Sequence, residues 1–168
     1  NGDGTFTNVA GSVGLGGLVM LSAAWADYDN DGDMDIYTSG TASAGNHLFR
    51  NNGDSTAKWL EVNLVGVQSN KRGVGAQIAV KAGALRMMRE VTTAVGYRCQ
   101  NMMTAHFGLG TNATADSIVV RWPSGLTNVL HDVASNQKVT ITEGLTSISE
   151  LGDLPAATRL FQNYPNPF

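Results

Sequence analysis

Along most of the chain apolar and polar positions alternate with a period of two, the signature of strands with one buried face. The run from Trp59 to Val65 is the clearest case, with Leu60, Val62 and Leu64 on one parity and Trp59, Glu61 and Asn63 on the other. Val74–Ala82 and Met87–Val95 continue the pattern, with Gly73 and Gly75 placed for a turn or a bulge. Ile118–Trp122 and Leu126–Leu130 flank Pro123, Ser124 and Gly125 and predict a hairpin. Proline fixes φ at the first corner of the turn, and glycine tolerates the left-handed position that follows. Gln137–Thr142 predicts a closing strand. Upstream, Leu18–Tyr28, Met34–Thr38 and Asn46–Arg50 read as short strands, with bulk from Trp25, Ile36, Tyr37, Leu48 and Phe49. Gly40 to Gly45 forms a small-residue loop between them. No segment combines a helical period with caps, so the expectation is all-β, with a sandwich or barrel-like module downstream.

Asn1-Gly2-Asp3-Gly4 is echoed by Asn51-Asn52-Gly53-Asp54. That spacing of about fifty residues lies in the range of propeller blades. The organisation expected is therefore a partial β-propeller blade over 1–56, a β module over 57–145, and a linker and tail over 146–168. The chain of 168 residues opens on a turn and reads as a fragment of a longer protein, so the lack of a signal peptide says nothing about compartment. Twenty glycines and only 15% charged residues suit short strands joined by tight turns.

Charge is concentrated at one place. Of 14 acidic residues, five are Asp27, Asp29, Asp31, Asp33 and Asp35; without them the 11 basic residues outnumber the remaining nine acidic ones. No Lys/Arg cluster marks a nucleic-acid surface, since Lys71-Arg72 falls in a turn. No apolar run is long enough to span a bilayer as a helix.

The aspartate run has a definite chemistry. Carboxylates at its first, third and fifth positions (Asp27, Asp29, Asp31) can wrap inward on one hard cation. Gly32 at the sixth permits a sharp turn, Asp33 at the seventh offers a backbone carbonyl, and Asp35 at the ninth completes the shell. Six to eight oxygens at about 2.4 Å is what Ca²⁺ accepts, while Mg²⁺ demands a stricter octahedron. The twelfth position is Thr38, not the bidentate glutamate of an EF-hand, and the flanks read as strands. A solvated Asp/Asn/Gly turn is the bland alternative. Against it, two like charges 4 Å apart repel by about 1 kcal/mol even in water, and several such pairs occur within nine residues.

Other residues carry weaker signals. Cys99, the sole cysteine, permits no intrachain disulfide and reads as a small packing residue. His47, His106 and His131 lack metal-ligand spacing. Gly73-Val74-Gly75 and Gly108-Leu109-Gly110 lack the rest of a phosphate loop. Asn112-Ala113-Thr114 matches the glycosylation triplet, a match common by chance. Asp116 and Ser117 have no histidine near them in sequence. No catalytic set emerges, so an enzyme is not expected.

Residues 1–56, with Asn1–Phe6, the Asp27–Asp35 loop and Leu48–Gly53, resemble an FG-GAP/VCBS repeat. Residues 58–143 resemble an ASPIC/UnbV domain through Trp59–Val62, Lys71–Ala76, Arg89–Val91, Gly96-Tyr97, Gln100-Asn101, His106–Gly110 and Val120–Gly125. Leu160–Phe168 resembles the opening of a type IX secretion sorting signal. The resemblance implies a secreted or cell-surface location, with Ca²⁺ on Asp27, Asp29, Asp31, Asp33 and Asp35 and no catalytic residue carried over. His106 and Arg121-Trp122 are family hallmarks better suited to packing than to a site. The function expected is non-catalytic binding or adhesion, with an extracellular protein or polysaccharide as ligand and the secretion machinery as a partner through the tail. The alternative is the accessory C-terminal part of an extracellular polysaccharide-degrading enzyme. Trp59, Trp122 or Tyr97 exposed on one face would favour sugar binding.

Overall fold

A computed structural model describes residues 4–17, 19–41, 45–53, 56–93 and 95–144. The linker and tail expected over 146–168, including the sorting-signal resemblance, lie outside the described residues. Ten strands and no helix are found among the described residues: β1 (Met20–Ala26), β2 (Asp35–Gly40), β3 (Asn46–Phe49), β4 (Lys58–Val65), β5 (Gln77–Ala82), β6 (Leu85–Glu90), β7 (Ala105–Gly110), β8 (Thr114–Arg121), β9 (Thr127–Ala134) and β10 (Gln137–Thr142). They form three sheets, ordered β1-β2-β3, β10-β4-β7 and β6-β5-β8-β9, and none closes into a barrel. The all-β expectation therefore holds, and the barrel-like variant of the downstream module gives way to two separate sheets.

The alternation read from the sequence decides which side chains enter the core. Leu60, Val62 and Leu64 of β4 join Ile78 and Val80 of β5, Phe107 and Leu109 of β7, Ile118 and Val120 of β8, and Val139 and Ile141 of β10 in one buried cluster. Side chains from both downstream sheets meet there, which makes that module a sandwich. All pairings are antiparallel except β4 with β10, which run parallel from Gln137↔Leu60 to Thr142↔Val65. A parallel pair needs a long connection, and here everything from β5 to β9 lies between the two strands.

Strand β7 was not anticipated. Gly108 and Gly110 lower strand propensity and break the visible alternation. Pairing with β4, through Leu60↔Phe107 and Glu61↔His106, overrides that local preference. The predicted hairpin is present: Gly125 donates to the Trp122 carbonyl at 2.9 Å with φ 91°, and β8 pairs with β9. Trp122 is buried, and its indole N–H donates to Asn128 Oδ1 at 2.6 Å. Gly73 adopts φ 64°, and a Cβ there would lie 2.9 Å from Leu64 Cβ, so the turn after β4 has room only for glycine.

Glu143, just past β10, closes the module. Its Oε2 accepts the backbone N–H groups of Val67, Gln68 and Ser69, each at 2.7 Å. Its Oε1 accepts the hydroxyls of Ser69 and Ser124. One carboxylate thus ties the loop after β4 to the β8–β9 turn. Burial alone would raise its pKa. The hydrogen bonds from Ser124, Ser69 and Val67 outweigh that and lower it from 4.5 to about 2. A depressed carboxylate stabilises fully above its unfolded value, and the contribution is lost as pH falls through the folded value.

Two outcomes follow for thermal melts of the full chain. Glu143→Gln lowers Tm at pH 7 and flattens the loss of Tm between about pH 4.5 and 2; an acid limb identical to the parent's contradicts the assignment. Asn128→Ala leaves the buried Trp122 N–H without its acceptor and costs about 1–3 kcal/mol, read as a lower denaturation midpoint at unchanged slope.

Candidate metal centre

The aspartate run forms the connection between β1 and β2. Asp27 directly follows β1, and Asp35 is the first residue of β2 and the antiparallel partner of Ala26. Strand pairing therefore brings the two ends of the loop side by side. Asp27 is 8% and Asp35 1% exposed.

Both carboxylates organise the loop backbone. Asp27 accepts from the N–H groups of Asp31 at 3.1 Å and Gly32 at 3.0 Å. Asp35 accepts from Tyr28 N–H at 3.1 Å and Asn51 N–H at 2.7 Å. Each of the four oxygens thus holds one N–H donor and keeps acceptor capacity for a further partner. Two loop residues are left-handed, Asn30 at φ 61° and Gly32 at φ 94°. Asparagine and glycine are the residues that tolerate this region best.

Asp27, Asp29 and Asp35 each offer an oxygen, and these lie within 4.8 Å of one another. Two ligands of one Ca²⁺ at about 2.4 Å can be no farther apart than twice that bond, a condition that all three oxygens meet. The donor set is all oxygen, as a hard cation requires. The other two aspartates are placed differently. Asp31 pairs with Arg50 at 3.0 Å, and its pKa is lowered first by the Asp33 N–H and then by that guanidinium. Asp33 lies beside Gly53, where a Cβ would stand 2.8 Å from its Oδ2. Arg50 Nε also reaches Asp29 Oδ2 at 2.7 Å. Arg50 is a partial counter-charge that the sequence did not single out, although its position just after β3 faces it toward the loop.

The loop leans on the downstream module. The Gly32 carbonyl accepts from His106 Nε2 at 2.8 Å. Trp59, stacked on His106 with centroids 6.3 Å apart, occupies the space that a Cβ on Gly32 would need. Lys138 Nζ lies 3.3 Å from Asn30 Oδ1 and 2.8 Å from Glu61 Oε2. Glu61 is fully buried, and neither of its oxygens has an aligned hydrogen bond among the described residues, so the lysine serves it as an ion-pair partner. Met102 N–H donates to the Trp25 carbonyl, and Trp25 N–H donates to Asn101 Oδ1, both at 3.0 Å. A cleft of about 380 Å³ opens at this junction, lined by Trp25, Met34, Arg89, Asn101, Met102 and His106 among others.

The remaining candidates resolve simply. His47 stacks on Phe49, and His131 is the cross-strand partner of Ser117. Asp116 is held by Lys81 at 2.8 Å. Cys99 is half buried against Gly96. Of the three aromatics singled out for a sugar surface, Trp122 is in the core, Trp59 is at the junction, and Tyr97 is 72% exposed; they do not share a face. No helix among the described residues is long and apolar enough to cross a membrane.

The chain is 33% identical over 138 residues to cartilage acidic protein 1 of Mus musculus and, equally, of Homo sapiens. The match takes in 77% of this chain and 19% of each relative, so the chain spans about a fifth of the length of the curated relatives it matches. Residues 66–148 match the family described as ASPIC and UnbV. That span begins at the loop after β4 and takes in β5 to β10. The greater part of the sandwich that closes on Glu143, from β5 to β10, thus matches the ASPIC and UnbV family.

Proposed function

We propose that this chain is the calcium-stabilised, non-catalytic end of a secreted or cell-surface binding protein. A propeller-type FG-GAP/VCBS repeat would precede the ASPIC/UnbV domain, and the tail at Leu160–Phe168 would direct export. The observation that carries the reading is the convergence of Asp27, Asp29 and Asp35 within reach of one ion. Calcium acts structurally here: it neutralises the loop and pins β1 against β2, adding stability by mass action.

The upstream sheet supports the blade reading. Trp25, Ile36 and Phe49 stand in register, as do Ala24, Tyr37 and Leu48 one residue along, so the two sets occupy opposite faces. Trp25 is 44%, Tyr37 48% and Leu48 51% exposed. A three-stranded sheet with bulky apolar groups on both faces is suited to neighbours on both sides, as stacked blades provide. The extracellular setting draws on the ASPIC/UnbV resemblance and agrees with the name of the cartilage relatives. The ligand would be an extracellular protein or polysaccharide, and the cleft beside Trp25 is the concave place for it.

Asp29 gives the cleanest test. Asp27 and Asp35 brace the backbone, whereas Asp29 has Arg50 as its ion-pair partner, an exposed contact worth about 0–1 kcal/mol. At calcium a hundredfold above Kd, the parent gains about 2.7 kcal/mol, or roughly 5–10 °C in Tm for a chain of this size. Asp29→Asn abolishes that gain while leaving Tm in EGTA nearly unchanged. Equal melting with calcium and with EGTA in the parent chain rules the calcium reading out.

A further inference from the structure

We propose that the outer face of the β10-β4-β7 sheet is part of the cation site, with His106, Trp59 and Lys138 as positioning residues for the aspartate loop. This rests on the calcium reading above and adds to it that affinity is set in part by the downstream domain.

The contacts fall where the loop needs them. Asn30 and Gly32 are the loop residues with left-handed backbone, and they are also the two the module holds. The Gly32 carbonyl takes the His106 Nε2–H, which fixes the orientation of the peptide between Gly32 and Asp33. The Trp59 indole fills the space that a Cβ on Gly32 would need, so only glycine can dock there. Lys138 bridges Asn30 to the buried Glu61. Glu61 pairs across the sheet with both His106 and Lys138, so the three side chains form one row across the face that meets the loop.

A loop of like charges without a cation prefers to expand. Holding it closed in advance reduces the ordering that binding must otherwise accomplish. Groups behind the ligands that orient them typically change metal affinity 10–100-fold when removed. Here those groups belong to a sheet that begins more than twenty residues beyond the last aspartate. By linkage, cation binding strengthens the docking of the module as much as docking strengthens the cation.

Calorimetric calcium titration of the full chain, with Tm measured in EGTA, tests the proposal. His106→Phe keeps the ring on Trp59 but removes the donor; it should weaken calcium binding about tenfold with little change of Tm in EGTA. His106→Gln restores a donor and most of the affinity. Asn30→Gly keeps the left-handed backbone and removes the Lys138 contact alone, and should lower affinity by a smaller factor; it decides the matter if His106→Phe fails to fold. Calcium binding by these variants as tight as the parent's overturns this proposal and leaves the calcium reading standing. A parent chain that binds no calcium overturns both.

Discussion

Two buried carboxylates lying side by side are the constraint on which the upstream half of this chain depends. Asp27 and Asp35 are drawn together by the β1–β2 pairing, and Asp29 is carried in with them. Four backbone N–H groups supply hydrogen bonds but no net charge. Arg50 supplies one positive charge, and it stands on Asp29 and Asp31 at the exposed side of the loop. Burial of adjacent like charges is costly unless a counter-ion joins them. This imbalance is the electrostatic ground for the proposed cation site.

The downstream half solves a similar problem differently. Glu143 is also a buried carboxylate, yet five N–H and O–H donors surround it and stabilise its charge. Glu61 is a third case, buried beside a single ammonium from Lys138. The three sites form a series: a carboxylate saturated by donors, one paired with a lysine, and a cluster left short of positive charge. Only the last has a reason to recruit a metal.

Much of this was legible in the sequence because it is written locally. The two-residue alternation of Trp59–Val65 placed Leu60, Val62 and Leu64 in the core, and the Pro-Ser-Gly turn marked the β8–β9 hairpin. The Asp spacing pointed to the loop, and three of its five carboxylates do converge. What the sequence hid depends on contacts between distant residues. Strand β7 is glycine-rich and becomes a strand by pairing with β4. Glu143 looks like the point where the pattern fades, and its partners lie about twenty and seventy-five residues upstream. Lys138 and Asn30 are ordinary surface types whose meeting depends on the parallel β4–β10 pairing. Trp59 did leave a trace: it sits on the polar parity of β4, where a large aromatic has no core to fill, and the structure gives it the aspartate loop to cover.

The account turns on what lies between Asp27, Asp29 and Asp35. A high-resolution crystal structure of the chain grown in calcium tests this most directly. It should show one ion with carboxylate oxygens from all three residues at about 2.3–2.6 Å, and Gly32 still seated on Trp59 and His106. A water-filled loop, with Arg50 as the only cation near these carboxylates, would contradict it.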